Sequence, residues 1–340
     1  MEFIVLTFLF LAILFYLLFG GADFGVGVLE FFSSKQNKEI TKKTAYRIIG
    51  PVWEANHVWL IVVIVVMWIG FPIYYNIIVT QLHIPLSLLL LGIIARGTAF
   101  VFRHYDAYKD DSQKFYDKIF QYASAFTPFI IGVIIGAILS GEMIHPDKVE
   151  GNDFYTLYIA TWFNSFSLCT GFFVLSLTAY ISSVFLSTES LGEEKFYYIK
   201  KAKRASLFVL ISGALVFVES ILYGRAFFLI YAENWWTWVI LFIAGLLFIP
   251  MWKGINAGDR WMPRAWMALQ IIMILTVWVI DIFPNLIIFK EGQLGLTENP
   301  VPDAVFQSLG MALLIASAFV LPGLYHLYKT FGLVNSKNQA

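Results

Sequence analysis

Cysteine and histidine are scarce in this sequence, with one cysteine, Cys169, and five histidines. A single thiol excludes an internal disulfide and any all-cysteine metal site within the chain. No two histidines have His-x-x-x-His spacing, and only His57 lies deep in an apolar segment, so we predict that this chain alone ligates no haem. Phosphate loops, dinucleotide fingerprints, zinc motifs and nucleophile elbows are also missing. Catalytic chemistry must therefore be supplied by a cofactor or a partner.

Charged residues are scarce as well. They make up 14% of the chain, against 59% hydrophobic residues and a mean hydropathy of +0.74. A soluble globular protein carries about a quarter charged residues, so the composition predicts a polytopic membrane protein, treated as one transmembrane domain over 1–340. The net charge of zero gives no sign of a nucleic acid partner. Since no basic residue precedes the apolar run beginning at Phe3, we expect a retained helix and not a cleaved signal.

Long apolar runs are plentiful. A helix crossing a bilayer needs about 20 mostly apolar residues. By that measure the sequence predicts an all-helical protein with about nine spans, near 3–32, 48–71, 74–102, 119–140, 155–187, 205–223, 227–252, 264–284 and 305–328.

Basic residues predict the orientation of these spans. Most of the 23 Lys and Arg lie in alternate loops, at 33–47, 103–118, 188–204 and 253–264, and in the C-terminal tail. The opposite loops hold only Lys148, Arg225 and Lys290. By the positive-inside rule we expect the N-terminus outside and the C-terminus in the cytoplasm.

Each of the first three apolar runs has a charged residue well inside its basic end: Asp23, Glu54 and Arg96 respectively. A charge in hydrocarbon costs several kcal/mol, so such residues are candidates for function. If each helix is continuous with its polar edge, all three lie roughly 10–15 Å inside the basic side. An Asp23–Arg96 or a Glu54–Arg96 pair then follows, either as a proton-carrying cluster or as a purely structural ion pair. His57 is predicted to be a polar or proton-conducting member of the Glu54 cluster.

Small residues surround the first of these charges. Gly21 and Gly25 have the small-xxx-small spacing that allows close helix packing in membranes. The same spacing recurs at Gly132 and Gly136. We therefore expect both glycine pairs to lie in tight helix contacts.

Three motifs carry a resemblance to a known family. The segments Gly-Ala-Asp-Phe-Gly-Val-Gly at 21–27, Trp-Glu-Ala-Asn-His-Val-Trp at 53–59 and Arg-Gly-Thr-Ala-Phe-Val-Phe-Arg at 96–103 resemble subunit II of cytochrome bd-type quinol oxidases. In this resemblance Asp23 matches the second Asp of an Asp-Gly-Phe-Asp motif, and Glu54 matches the Asp of Trp-Asp-Gly-Asn. The other motif positions are Gly21, Gly25, Gly27, Trp53, Asn56, Trp59, Gly97, Phe100 and Arg103.

The resemblance implies two four-helix bundles plus one extra helix, paired with a homologous subunit I in the bacterial cytoplasmic membrane. Subunit I would hold the haems, b and d or b only, and the outer quinol site. The complex would oxidise quinol and reduce oxygen to water. Subunit II would hold no haem and would stabilise the complex. It would also contribute to a proton route from the cytoplasm, with Asp23, Glu54, His57 and Arg96 as candidates. Small single-span subunits and a structural quinone or lipid are further partners that the resemblance allows.

The sequence also departs from the family pattern. Gly20 stands where the motif has its first Asp, Val101 where an acidic residue is usual, and Ala55 where Gly is usual. Two acids of the polar set are therefore missing, which predicts a divergent member with an altered proton route. A purely structural assembly subunit and a secondary transporter are the alternative functions, although no inverted repeat supports the transporter.

Overall fold

The computed structural model describes residues 1–105, 112–296 and 301–330. Within these ranges the chain is helical, with two isolated bridges, Met143–Phe289 and Asn285–Gly295, and no strand. The first helices are α1 (Glu2–Phe15), α2 (Gly21–Phe31), α3 (Lys35–Ile49), α4 (Trp53–Asn56), α5 (Val58–Gly70), α6 (Pro72–Gln81), α7 (His83–Tyr105) and α8 (Ser112–Leu139). The remaining ones are α9 (Phe154–Tyr158), α10 (Ser165–Glu189), α11 (Gly192–Leu222), α12 (Ala226–Glu233), α13 (Trp235–Leu246), α14 (Phe248–Ala257), α15 (Met262–Ile282) and α16 (Asp303–Thr330).

Nine helical stretches in the described ranges are long and apolar enough to cross a membrane, which confirms the predicted number. They are Glu2–Phe31, Trp53–Gly70, His83–Arg103, Ser112–Leu139, Ser165–Glu189, Gly192–Leu222, Trp235–Ala257, Met262–Ile282 and Asp303–Thr330. The first combines α1 and α2 through a π-helical turn at Tyr16–Gly20.

Several predicted boundaries were wrong; the third span, for example, begins at His83 and not at 74. The loop expected at 33–47 is mostly the helix α3, and the basic segment 188–204 is mostly the first part of α11. Lys and Glu are good helix formers, so these segments extend as helices beyond the apolar runs that define the spans. At 31 residues, α11 is about 46 Å long and exceeds the roughly 30 Å of hydrocarbon in a bilayer. Residues 106–111 of the predicted loop 103–118, and the tail from 331, lie outside the described ranges.

The second span also begins later than the predicted residue 48. Helix α3 ends at Ile49, residues 50–52 form a turn that contains Pro51, and helical structure resumes at Trp53. Proline cannot donate a backbone hydrogen bond and disfavours helical geometry in the residue before it. The depth predicted for Glu54 assumed a helix running on from Arg47, and this break removes that assumption.

Close approach of three helices holds the first half of the protein together. A Cβ added at Gly25 would lie 2.0 Å from the carbonyl oxygen of Thr178 in α10, and one at Gly27 would lie 2.2 Å from Ser124 Cβ in α8. Helix α2 therefore packs directly between α8 and α10, as the glycine spacing predicts. Gly132 and Gly136 of α8 make a similar close approach to the backbone of α10.

The spans form two groups. The first comprises α1–α2, α5, α7 and α8, and the second comprises α10, α11, α13–α14 and α15, with α10 packed against both α2 and α8. The ninth span, α16, packs on α1 and α5 at the periphery. This agrees with two four-helix groups plus one extra helix. Many large hydrophobic side chains on the outer faces are exposed, as lipid-facing surfaces require.

Candidate functional site

The centre of the candidate site is a buried ion pair between Asp23 of α2 and Arg96 of α7. Their exposed fractions are 0% and 1%. Arg96 Nη2 donates to Asp23 Oδ1 at 2.6 Å and to the Asp23 carbonyl oxygen at 3.2 Å, and Arg96 Nε donates to Ser124 Oγ at 3.1 Å. Charge-assisted hydrogen bonds of this length are strong, and they offset part of the cost of burying both charges.

Local backbone structure positions the aspartate. The π-helical turn at Tyr16–Gly20 ends three residues before Asp23. Single π turns inside α-helices occur frequently at functional sites. The turn places the Tyr16 ring 6.1 Å from the His57 ring and 6.5 Å from the Phe24 ring, measured between centroids. An aromatic group therefore adjoins the aspartate.

His57 lies on the other side of the same carboxylate. Its Nε2 is 3.8 Å from Asp23 Oδ2, longer than a hydrogen bond. Asp23 Oδ2, His57 Nδ1, Tyr16 OH and Trp59 Nε1 are buried, and each lacks a hydrogen-bond partner among the described residues. Leaving a buried polar atom unpaired costs about 1–3 kcal/mol, so a cluster of four such atoms marks this place as unusual within the core.

Glu54 is not part of the pair. It lies in the single turn of α4, at the start of the second span, with an exposed side chain and no ion pair to the described residues. Of the two predicted arrangements, the one formed is Asp23–Arg96. Its neighbour Trp53 points inward, against Phe100 at 5.2 Å between ring centroids and against Gly97. The α4 turn therefore directs Trp53 into the protein and Glu54 away from it.

The remaining motif residues stabilise this region. Asn56 Oδ1 accepts a hydrogen bond from Tyr328 OH of α16 at 3.1 Å. Trp59 is buried and packs on Phe15 of α1, with 4.6 Å between ring centroids. Gly21 faces Ile181 of α10. The contacts of Asn56 and Trp59 connect the second span to the ninth and the first, on either side of His57.

A second buried ion pair was missed by the sequence interpretation. Arg103 Nη2 donates to both carboxylate oxygens of Glu30, at 3.1 and 3.0 Å, and Gln121 Nε2 donates to Glu30 Oε1 at 2.9 Å. Arg103 Nε also lies 3.2 Å from Asp117 Oδ1, which in turn pairs with Lys42 of α3. Glu30 lies seven residues after Asp23, as Arg103 lies seven after Arg96. This shared seven-residue spacing could have predicted a second ion pair between the same two helices.

The surroundings of His57 do not fit a haem. The ring packs edge-on against Phe24, at 5.5 Å between centroids, and its Nε2 faces the Asp23 carboxylate. Nε2 therefore faces a carboxylate and not a space that could hold an iron porphyrin. Within the described ranges, no cluster of three or more His, Cys, Asp or Glu side chains could hold a metal ion.

Comparison with known proteins gives the family. Residues 1–331 match the family model described as cytochrome bd terminal oxidase subunit II. The chain belongs to this family. The "Cytochrome bd ubiquinol oxidase subunit 2" of Bacillus subtilis (strain 168) is 28% identical over 55% of this chain. The "Putative cytochrome bd menaquinol oxidase subunit II" of the same strain is 28% identical over 91% of the chain and covers 89% of that relative.

Coverage of the relatives is uneven. The match spans 54% of the first Bacillus relative. The "Cytochrome bd-I ubiquinol oxidase subunit 2" of Escherichia coli (strain K12) is 25% identical over 60% of this chain and 52% of its own length. The chain thus matches only about half the length of these two. A bd oxidase structure from Geobacillus thermodenitrificans superposes with a TM-score of 0.77 at 20% identity, covering 98% of this chain and 99% of that one. This likeness shows that the two chains share a fold along nearly their whole length.

Proposed function

We propose that this chain is the haem-free subunit of a cytochrome bd-type terminal oxidase in the bacterial cytoplasmic membrane. It would pair with a haem-bearing subunit I, whose haems supply the electron transfer and oxygen reduction, and the complex would oxidise quinol. The family match over 1–331 supports this role. The Asp23 carboxylate that faces His57 Nε2 is in keeping with haems held by the partner subunit.

We also propose that Glu54, His57 and Asp23 belong to a proton-uptake route. The observation that carries this proposal is the unpaired, buried Asp23 Oδ2 with His57 Nε2 at 3.8 Å. A small approach of the imidazole would bring these two atoms within hydrogen-bond distance, where a proton can pass directly between them. Glu54 is three residues from His57 and exposed at the start of its span. A surface carboxylate there is well placed to receive protons, and subunit I would cover it from lipid.

The direction of this route depends on the proposed orientation. We call one side of the bundle the basic end. It carries the basic loops, helix α3 and the start of helix α11. By the positive-inside rule the basic end faces the cytoplasm. Protons would then enter at Glu54 from the cytoplasm. Arg96 would hold one oxygen of Asp23 and leave the other free to accept a hydrogen bond.

A purely structural role has one observation in its favour. Asp23 and Arg96 are both fully buried, and three hydrogen bonds fix Arg96 between α2 and α8. Burial and charge-assisted hydrogen bonds of this kind are also what an ion pair that only joins two helices requires. The structural role predicts that replacing Glu54 leaves turnover unchanged in an assembled complex.

The decisive experiment begins with the complex isolated through a tag on this chain. Subunits are identified by mass, and a reduced-minus-oxidised spectrum reports haem. We expect a second polytopic subunit and haem bands, and no haem in this chain expressed alone. A preparation with neither partner nor haem would refute the oxidase assignment.

The proton route is then tested by Glu54→Gln, with Glu39→Gln as the matched control. Glu39 is an exposed carboxylate of α3 at the same end. We expect Glu54→Gln to retain haem content but lose quinol oxidase turnover and proton uptake by roughly tenfold or more, the usual range for a lost proton-transfer group. Equal turnover in both variants would support the purely structural role.

A further inference from the structure

A cavity of about 440 Å³ opens at the basic end, between the α2–α3 connection and the first turns of α11. Its α11 side carries Phe196, Lys200, Lys201 and Arg204, and its other side carries Phe32 and Ser34. Tyr197 also lines the cavity, so three cations and three aromatic side chains surround one space. The combination of positive charge and apolar wall restricts what could occupy it.

Among the described residues, no acidic side chain forms an ion pair with the cations in this cavity. Lys200 and Arg204 are exposed and form no ion pair with the described residues, and Lys201 Nζ donates only to the Phe32 carbonyl oxygen at 2.9 Å. Other basic side chains at the same end have acidic partners: Lys42 pairs with Asp117, and Arg264 pairs with Glu189. Three clustered charges without a counter-charge favour an anionic ligand.

An apolar strip continues from the cations along the same face of α11. Leu207, Phe208, Ile211 and Leu215 follow Arg204 at three- and four-residue spacings, with exposed fractions of 57%, 61%, 47% and 50%. Residues so spaced share one side of a helix. A molecule with its charge at Lys200 and Arg204 could therefore lay an apolar tail along this strip, into the hydrocarbon of the bilayer.

We propose that this cavity binds the phosphate headgroup of an anionic phospholipid in the leaflet at the basic end. Basic pockets at the ends of membrane helices recognise such headgroups. Phe32 and Phe196, exposed by 64% and 72%, flank the headgroup at the level where aromatic side chains favour the membrane interface. A soluble phosphate would use the cations but not the apolar strip. The proposal does not depend on the proton route.

The test uses the purified complex in nanodiscs made from phosphatidylcholine with a small fraction of phosphatidylglycerol. Lipid retained after extraction is counted by native mass spectrometry. We expect selective retention of phosphatidylglycerol by the unmodified complex. Because each basic residue near an anionic surface contributes about 1 kcal/mol, Lys200→Gln with Arg204→Gln is expected to reduce the selectivity by roughly tenfold or more.

The matched control is Lys43→Gln with Lys253→Gln, which removes the same charge from exposed positions at the basic end but outside the cavity. This control is expected to keep the selectivity. An equal loss in both double variants would overturn the proposal in favour of general surface charge. Haem content reports whether each variant complex has assembled. If the double variant fails to assemble, the single change Lys200→Gln replaces it. This single change is expected to lower lipid retention severalfold.

Competition distinguishes the source of the phosphate. Inorganic phosphate and glycerophosphoglycerol, the headgroup without acyl chains, are added at millimolar concentration. We expect neither to displace the retained lipid, because the apolar strip holds the acyl chains. Displacement by either would overturn the lipid assignment and indicate a site for a soluble anion. No selective retention by the unmodified complex would overturn the site altogether.

Discussion

Glu30 and Arg103 form a buried ion pair that repeats, two helical turns further along α2 and α7, the pair of Asp23 and Arg96. The Phe120 ring of α8 adjoins both arginines, with its centroid 5.2 Å from Arg96 Cζ and 4.4 Å from Arg103 Cζ. Both pairs join residues 73 positions apart in sequence. Two equal spacings require α2 and α7 to run parallel in one register, so the pairs determine which sides of the two helices are directed toward each other.

Removing one member of the Asp23–Arg96 pair is expected to destabilise the protein. Arg96→Gln leaves Asp23 buried without a counter-charge. Breaking a buried ion pair in this way typically lowers the free energy of unfolding by about 3–5 kcal/mol. Asp23→Asn combined with Arg96→Gln removes both charges and should restore part of that loss. Thermal unfolding of the purified complex, followed by haem absorbance, measures the difference. Equal losses in the single and double variants would contradict a coupled pair.

The Glu30–Arg103 pair is expected to hold helix α3 against the bundle. Glu30 accepts hydrogen bonds from Arg103 and Gln121, and Gln121 accepts one from Lys38 of α3 at 2.8 Å. Lys42 of α3 pairs with Asp117, which lies beside Arg103. Hydrogen bonds to a charged group contribute about 1.5–3 kcal/mol. Glu30→Gln should therefore speed tryptic cleavage within 35–49 by roughly tenfold.

The control for this cleavage experiment is Glu193→Gln. Glu193 is an exposed carboxylate at the start of α11, at the same end of the bundle. It should leave the cleavage rate unchanged. Unchanged cleavage in Glu30→Gln as well would mean that α3 is held by its other contacts, such as the ion pair of Arg47 with Glu194.

Much of this arrangement could be predicted from the sequence. Hydropathy gave the number of spans, since apolar length is what a bilayer selects, and glycine spacing gave the close contacts of α2 with α10. Opposite charges at similar depth predicted either an Asp23–Arg96 or a Glu54–Arg96 pair, and the first of these is formed. Each of these rests on a local pattern with one dominant physical cause.

Other features could not be predicted in the same way. Glu30 lies beside the polar edge of its span, where a charge is ordinary, and only its partner on α7 makes it a buried group. The exposure of Glu54 depends on the turn at 50–52, whose geometry reorients the start of the span. Hydropathy cannot reveal either, because both depend on how separate helices meet.

The contact of α2 with α10 gives a steric prediction. Gly25→Ala would place a methyl group 2.0 Å from the Thr178 carbonyl oxygen, so the helices must separate. Overpacking a close contact typically costs about 1–3 kcal/mol. We expect a lower melting temperature and a lower yield of assembled complex. Gly245→Ala is the control, since nothing lies within 4 Å of the added atom and alanine favours helix there by about 1 kcal/mol.

The orientation of the chain gives the last prediction. In a Cys169→Ala background, Glu150→Cys and Asn256→Cys place single exposed thiols at opposite ends of the bundle. Positive-inside orientation predicts that a membrane-impermeant maleimide labels Glu150→Cys on intact cells, and labels Asn256→Cys only after permeabilisation. The reverse labelling pattern would show that the chain has the opposite orientation in the membrane. It would also place Glu54 and the basic end outside, and proton uptake from the cytoplasm through Glu54 would then be impossible.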